Sequence, residues 1–218
     1  MTTPTQLILE NVVIRPQQPP VNLTVDASSR IAIYGEEGVG KSQLLRLMAG
    51  LIVPSEGGEI RLNGTDLAQW RGPQRAQHLA VLFHQPERHF LTAYVGEEVG
   101  FGCQPALTDV TDTRLDPWLH MCGVEAHWWP LPLNQLSSAQ RARVALLSVL
   151  WPQPPLLLAD EPGAALSEVG EAELAEILQN RAGGLVVFTS RLSRAKAFAT
   201  QIYRLDATGL QVWDETKA

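Results

Sequence analysis

Three short stretches of this chain combine residue types that handle phosphate, a divalent cation and water. Gly35-Glu36-Glu37-Gly38-Val39-Gly40-Lys41-Ser42 fits the pattern G-x-x-x-x-G-K-[ST] at every fixed position. Gly35, Gly38 and Gly40 leave backbone N–H groups free to wrap a polyphosphate, because side chains would block the approach and positive φ angles are needed. Lys41 would neutralise the β and γ oxygens, Ser42 would hold Mg2+, and Gln43 continues the nucleotide-binding stretch. The apolar run Leu156-Leu157-Leu158-Ala159 ends in Asp160-Glu161-Pro162. A carboxylate closing such a strand suits Asp160 to holding Mg2+ through its water shell, and adjacent Glu161 to orienting or deprotonating an attacking water. The third stretch, Leu136-Ser137-Ser138-Ala139-Gln140-Arg141, has the composition of a helix start. Taken singly, each stretch has a plainer reading as a glycine-rich turn, an acidic cap or a serine cap. Their co-occurrence favours phosphate chemistry.

The elements around these stretches alternate. Leu7 to Ile14 and Val21 to Val25 read as strands separated by Pro16-Gln17-Gln18-Pro19-Pro20, an antiparallel edge. Ile31 to Tyr34 is a buried-strand pattern leading into the glycine loop, and Lys41 to Leu51 has helical apolar spacing. Glu59 to Leu62 with Asn63-Gly64 predicts a strand ending in a tight turn, and Leu79 to Phe83 another buried strand. From about Val95 to Leu133, segments punctuated by Pro105, Pro117, Pro130 and Pro132 predict a small helical insertion. Its tryptophans, Trp118, Trp128 and Trp129, suit either core packing or a docking surface. Helix at Gln140 to Leu150, strand at Leu156 to Ala159, helix at Glu168 to Asn180 and strand at Leu185 to Thr189 then imply a mostly parallel sheet with covered faces.

Composition narrows the function classes. A chain of 218 residues, 45% hydrophobic, suits one domain. Its 23 acidic against 17 basic side chains, a net −6, disfavour a nucleic-acid partner. Cys103 and Cys122 form no C-x-x-C pair, which fits a reducing cytosol. Neither His84 with His89 nor Cys122 with His127 is joined by a second pair at ligand spacing, so a zinc site is not suggested. No secretory signal is evident, and the apolar run Val144 to Trp151 is far short of the roughly 20 residues that span a bilayer. Any membrane role must come through a partner.

Leu136 to Gln140, followed by Arg141-Ala142-Arg143-Val144-Ala145-Leu146, resembles the L-S-G-G-Q signature of the nucleotide-binding subunits of ABC transporters, and the resemblance covers nearly the whole chain. It implies an α/β phosphate-loop NTPase fold of ABC type, a single domain over residues 1–218 with a helical subdomain at about 95–135. It also implies ATP and Mg2+ as cofactors and a second ABC ATPase subunit as partner, in a homo- or heterodimer. In that family each ATP is held by the phosphate loop of one subunit and the signature of the other. Ser137, Ser138, Ala139 and Gln140 would thus face the partner's ATP, where N–H groups and a helix dipole favour an anion.

A narrower likeness runs from Phe83 to Gly102. It is similar to the stretch F-Q-N-P-x-x-Q…T-V-x-x-E-V-x-F-G of cobalt, nickel and vitamin importers of the energy-coupling factor type. That likeness implies import of a small solute through separate membrane-embedded subunits, with the chain peripheral on the cytoplasmic face. The chain stops soon after the strand-like Leu210-Gln211-Val212-Trp213, so dimerisation is expected to depend on nucleotide, a partner or the membrane complex rather than on a carboxyl-terminal extension.

Several positions depart from the family pattern. His84 stands in the place of a glutamine that contacts Mg2+ and water, with Gln85 one step later. Ser190 replaces a histidine that grips the γ-phosphate, and a serine carries no charge. Ser167 replaces an aspartate that tunes communication across the dimer. Ser138 and Ala139 replace both signature glycines. Pro16 falls near where an aromatic would stack on adenine, and Glu36 and Glu37 bring acid to the phosphate loop. The expectation is a site that binds ATP with impaired turnover, completed by a more competent partner. The alternative is a non-hydrolysing scaffold module. A soluble ABC ATPase of DNA repair or translation fits less well with one nucleotide unit, no coiled-coil insertion and an acidic balance.

Overall fold

A computed structural model of the protein describes residues 5–84, 90–101, 111–164 and 166–214. The amino-terminal part is antiparallel. β1 (Gln6–Val12) and β2 (Val21–Asp26) pair through Leu7↔Val25 and Leu9↔Leu23, so all four apolar side chains share one buried face. β3 (Arg30–Tyr34) leaves this layer for the second sheet and delivers the glycine loop to α1 (Lys41–Met48). β4 (Glu59–Leu62) pairs with the other edge of β1, and Asn63 and Gly64, with φ of 52° and 79°, turn the chain into β5 (Thr65–Asp66). Two consecutive left-handed residues are what a two-residue hairpin loop of matching twist requires. The four strands run β2-β1-β4-β5.

After the short α2 (Gly72–Ala76), β6 (Leu79–Leu82) begins the far edge of a six-stranded sheet. Two short helices follow, α3 (Val95–Gly100) and α4 (Asp116–Cys122). α5 (Ser138–Leu150), β7 (Leu156–Asp160), α6 (Glu168–Asn180) and β8 (Gly184–Thr189) restore the alternation. α7 (Leu192–Phe198), β9 (Gln201–Asp206) and β10 (Gly209–Val212) complete the described chain. The sheet order is β10-β9-β3-β8-β7-β6, parallel throughout except for the β9–β10 hairpin.

Two apolar cores lie on opposite faces of this sheet, and the central strands feed both. Leu156 and Leu158 of β7, with Val186 and Phe188 of β8, join the first core with α1 and the antiparallel layer. The intervening Leu157, Ala159, Leu185 and Val187 join the second, with α3 to α6 and Phe198 of α7. A strand covered on both faces has no polar positions to alternate, which is why these segments read as unbroken apolar runs. Trp128 is buried in the second core, while Trp118 and Trp129 pack against it, Trp118 meeting Trp151 edge-on. Packing, rather than a free aromatic face, accounts for these three rings.

The carboxylate of Glu98 is buried in α3 and accepts from the Leu91 and Thr92 backbones and the Thr92 hydroxyl at 2.9, 3.0 and 3.0 Å. It therefore fixes the turn entering the helical segment. α4 carries Pro117 in its first turn and ends at Gly123, left-handed with φ 61°. Sequence patterning missed α7 and β9. The first is seven residues long and buries an arginine, and the second alternates weakly.

Candidate functional site

Three adjacent parallel strands end together, and their carboxyl ends carry the candidate site. Gly35 N, just after β3, donates to Thr189 O of β8 at 3.2 Å, and Glu161 N, just after β7, donates to Phe188 O at 2.8 Å. The glycine loop, Asp160–Glu161 and Thr189–Ser190 thus meet at one end of the sheet, the usual crevice for a ligand in open α/β folds.

The loop is shaped by its glycines. Gly38 and Gly40 have φ of 79° and 117°, and a Cβ on Gly35 would stand 2.3 Å from Leu205 O. No side chain caps α1 at Gly40, so its first N–H groups are left for a ligand. Glu37, Gly38, Gly40, Lys41, Ser42 and Gln43 line a cleft of about 1120 Å³ together with His84, Asp160, Glu161 and Ser190. Glu36 and Val39 line a neighbouring hollow on the other side of the loop. The Gln43 amide donates to Ile14 O at 2.5 Å, tying α1 to the loop after β1. Lys41 is buried, its ammonium donating to Gly35 O at 2.7 Å and Glu36 O at 2.8 Å. Burial pushes its pKa down, while Glu161, Asp160 and Glu37 pull it back up.

Ser42 Oγ stands 3.4 Å from Asp160 Oδ2. Burial and the neighbouring charge of Glu161 push the Asp160 carboxyl up, against the opposing pull of His84, Ser42 and Lys41. Next door, Glu161 moves the opposite way. Burial pushes it up, but hydrogen bonds from Ser190, Thr189 and Arg194 outweigh burial and hold it below the ordinary glutamate range. Its Oε1 accepts from Ser190 N at 2.5 Å, and its Oε2 from Thr189 Oγ1 at 3.0 Å and Arg194 Nη1 at 2.9 Å. Glu161 itself has φ 45°, so the backbone is turned sharply to present this carboxylate. Arg194 is 4% exposed and also grips Glu171 of α6 through Nε and Nη2, at 2.6 and 2.9 Å.

The signature stretch lies apart from this cleft. Ser137 caps α5, its hydroxyl accepting from Gln140 N at 3.2 Å while Gln140 Oε1 accepts from Ser137 N at 2.8 Å. Such a reciprocal capping box organises a helix amino terminus. Arg141 donates to Leu136 O and Ser138 Oγ, at 2.9 and 3.3 Å, stiffening the same turn, in which Ala139 follows. Ser167 caps α6, accepting from Gly170 N at 3.3 Å. Pro16 lies in the exposed turn closed by Gln18 N donating to Arg15 O at 3.1 Å. Gln85, His89 and Cys103 lie outside the described residues.

Sequence motifs did not single out Arg15, Arg46, Arg191 or Arg194, all of which line the cleft. The signal for Arg194 was a lone arginine among the apolar positions of a short helix, Leu192-Ser193-Arg194-Ala195-Lys196-Ala197-Phe198. Burying a guanidinium there demands carboxylate partners from elsewhere in the chain.

A parallel sheet with a glycine loop, a Ser–Asp pair and a buried glutamate at its carboxyl edge defines a phosphate-loop nucleotide-binding subunit. The family model of ABC transporters matches residues 19–164. The energy-coupling factor transporter ATP-binding protein EcfA of Methanoculleus marisnigri is 30% identical over 192 residues, covering 85% of this chain and 69% of that protein. The thiamine import ATP-binding protein ThiQ of Aliivibrio fischeri is 35% identical over 185 residues, 82% of this chain and 77% of that protein. A putative ABC transporter ATP-binding protein of Streptomyces avermitilis is 30% identical over 199 residues, and the chain spans 35% of its length.

Among solved structures, cbiO1 from Clostridium perfringens, part of the cbiONQ ABC transporter complex, has TM-score 0.77 at 24% identity, covering 94% of this chain and 86% of that one. The cassette MJ0796 bound to ADP and Pi in a dimeric structure has TM-score 0.77 at 23% identity, covering 94% and 96%. At these identities the structures speak for the fold. The chain belongs to the ABC transporter family, as an ATP-binding subunit resembling the energy-coupling factor ATPases.

Proposed function

We propose that this chain is the ATP-binding subunit of an importer-type ABC complex, taking its place peripherally on the cytoplasmic face of the cell membrane beside separate transport subunits. The names of its relatives, an energy-coupling factor ATPase and a thiamine import ATPase, support that reading and suggest a small solute such as a metal ion or vitamin. Among the described residues no helix is long and apolar enough to cross a membrane. On this reading the transport path belongs to partners. The net charge of −6 argues against nucleic acid as the partner.

The observation that carries the proposal is the Ser42–Asp160 pair at 3.4 Å, flanked by Lys41 and Glu161. Both members offer hard oxygens, and among the described residues no group of three or more His, Cys, Asp or Glu could hold a metal unaided. That donor set fits Mg2+, which takes its remaining ligands from phosphate and water. Bound there with ATP, the ion would neutralise charge on the phosphate oxygens. Lys41 would exchange its two carbonyl contacts for phosphate oxygens, and the bare N–H groups at Gly40 to Ser42 would receive the anion. Glu161 Oε2 is filled by two donors, whereas Oε1 has one and keeps an acceptor site for water.

Turnover at this site is expected to be weak. Ser190 supplies a backbone N–H to Glu161 but no charge, and His84 stands where the family has glutamine. The chain would then work in a dimer, lending the Ser137 to Gln140 face to a partner's ATP. The competing reading, a scaffold that binds ATP without splitting it, draws on the tie between Glu161 and buried Arg194. Steady-state ATPase of the wild type, Lys41→Ala and Glu161→Gln, alone and with a candidate partner ATPase, separates the two. Turnover that Glu161→Gln abolishes supports the motor, whereas ATP binding with no turnover in any pairing refutes it.

A further inference from the structure

The cations of the cleft are unequally committed. Lys41 is drawn beneath the loop by two carbonyls. Arg194 spends Nη1 on Glu161 and its other two nitrogens on Glu171. Arg15 stands at the opposite side, its Nε 3.5 Å from where a Gly40 Cβ would be, and Arg46 belongs to the last turn of α1. Arg191, whose charge helps to hold Glu171 below the ordinary glutamate range, is set apart from these by its place. It follows Ser190 at the carboxyl end of β8, is exposed, lines the same cleft, and its guanidinium has no hydrogen bond or ion pair among the described residues. It is held at the mouth by its own backbone, whose N–H donates to Thr189 Oγ1 at 3.2 Å, the same hydroxyl that donates to Glu161.

This end of the cleft is rich in negative charge, with Asp160 and Glu161 adjacent, and its other β8 residue, Ser190, is neutral. The phosphates nearest the nucleoside would lie against Gly38 to Ser42, leaving the terminal phosphate to face the ends of β7 and β8. An anion brought there needs a cation that is not already neutralised. We propose that Arg191 binds the terminal phosphate of ATP and sets the preference of this site for ATP over ADP. A planar fork of N–H donors suits a phosphate's oxygens, and an exposed arginine whose guanidinium makes no hydrogen bond among the described residues can reach them at little cost to the folded core. The inference rests on the nucleotide reading above and assigns the γ-phosphate contact to a residue outside its motifs.

Calorimetry with Mg-ATP and with Mg-ADP on the full chain tests it, using wild type, Arg191→Ala and Arg191→Lys, with thermal melts to confirm folding. Arg191→Ala is expected to weaken ATP about tenfold while ADP shifts by less than about twofold, as loss of one charged hydrogen-bonding group predicts. Arg191→Lys, keeping the charge, should recover most of the difference. A wild-type protein that binds neither nucleotide overturns both this inference and the functional reading. Binding of both nucleotides with an ATP-to-ADP ratio untouched by Arg191→Ala, or a parallel loss of both, overturns the role of Arg191 alone.

Discussion

Arg194 Nη1 lies 2.9 Å from Glu161 Oε2, so the glutamate at the mouth of the cleft is tied to a buried guanidinium that also grips Glu171. One side chain thereby joins β7, α6 and α7. Arg194→Ala would leave two half-buried carboxylates without their cation, and removing one partner of such a cluster destabilises by about 3 kcal/mol. Urea unfolding checks this. A loss under about 1 kcal/mol would mean that water replaces the guanidinium freely.

The same cluster sets an acid response. The Arg194 hydrogen bond holds Glu171 below its ordinary value of 4.5, and Glu161 is also depressed. A depressed carboxyl contributes stability that is present above the unfolded-state value and disappears as pH falls through the folded-state value. The melting temperature should therefore drop as pH falls below 4.5, and Arg194→Ala should flatten that drop. Melting curves from neutral pH downward would show whether the two profiles converge in acid.

Gly35 offers a test of how tightly the phosphate loop is seated. A methyl group there would meet Leu205 O at 2.3 Å, a backbone atom of β9 that cannot swing aside. Gly35→Ala should cost about 2 kcal/mol through overpacking. It should also weaken ATP binding, whereas alanine at the exposed Gly72, where a Cβ meets nothing, should do neither. Calorimetry and urea titration on both variants decide it.

Ser137 carries a capping role that can be separated from any role toward a partner. Ser137→Ala removes the hydroxyl acceptor of Gln140 N and should cost about 1 kcal/mol in the isolated chain. Ser137→Asp keeps an acceptor at the cap, so stability should survive. ATPase of the partnered complex should still fall, because a carboxylate would face phosphate. Equal activity for Ser137→Asp and wild type in that complex would count against a signature role.

Ser190→His would place a chargeable ring beside Glu161 at the end of β8. Since charge-stabilising donors at such sites change rates by two orders of magnitude or more, turnover should rise at least about tenfold. Single-turnover ATPase of the partnered protein measures it, and an unchanged rate would place the limitation elsewhere, His84 being the next residue to exchange.

Local sequence carried most of the architecture. Leu156 to Ala159 and Leu185 to Thr189 are unbroken apolar runs because both faces of β7 and β8 are covered, and the Asn63-Gly64 pair fixes its own turn through left-handed φ angles. The glycine loop and the Asp160-Glu161 pair announce themselves because phosphate and cation chemistry demand those residue types at fixed spacing. Nothing in that spacing shows that Glu161 is held from behind by Thr189, Ser190 and Arg194, which are about 30 residues away along the chain and meet it only because β7 and β8 are neighbours. Tertiary structure likewise decided that adjacent Asp160 and Glu161 are pushed in opposite directions, since burial is common to both while three donors converge on Glu161 and only Ser42 reaches Asp160, at 3.4 Å. It also decided that Arg194 is buried between Glu161 and Glu171 while Arg191 stays exposed at the mouth of the cleft, because an ion pair depends on distance in space and on exclusion of water, and neither is written in the order of the residues.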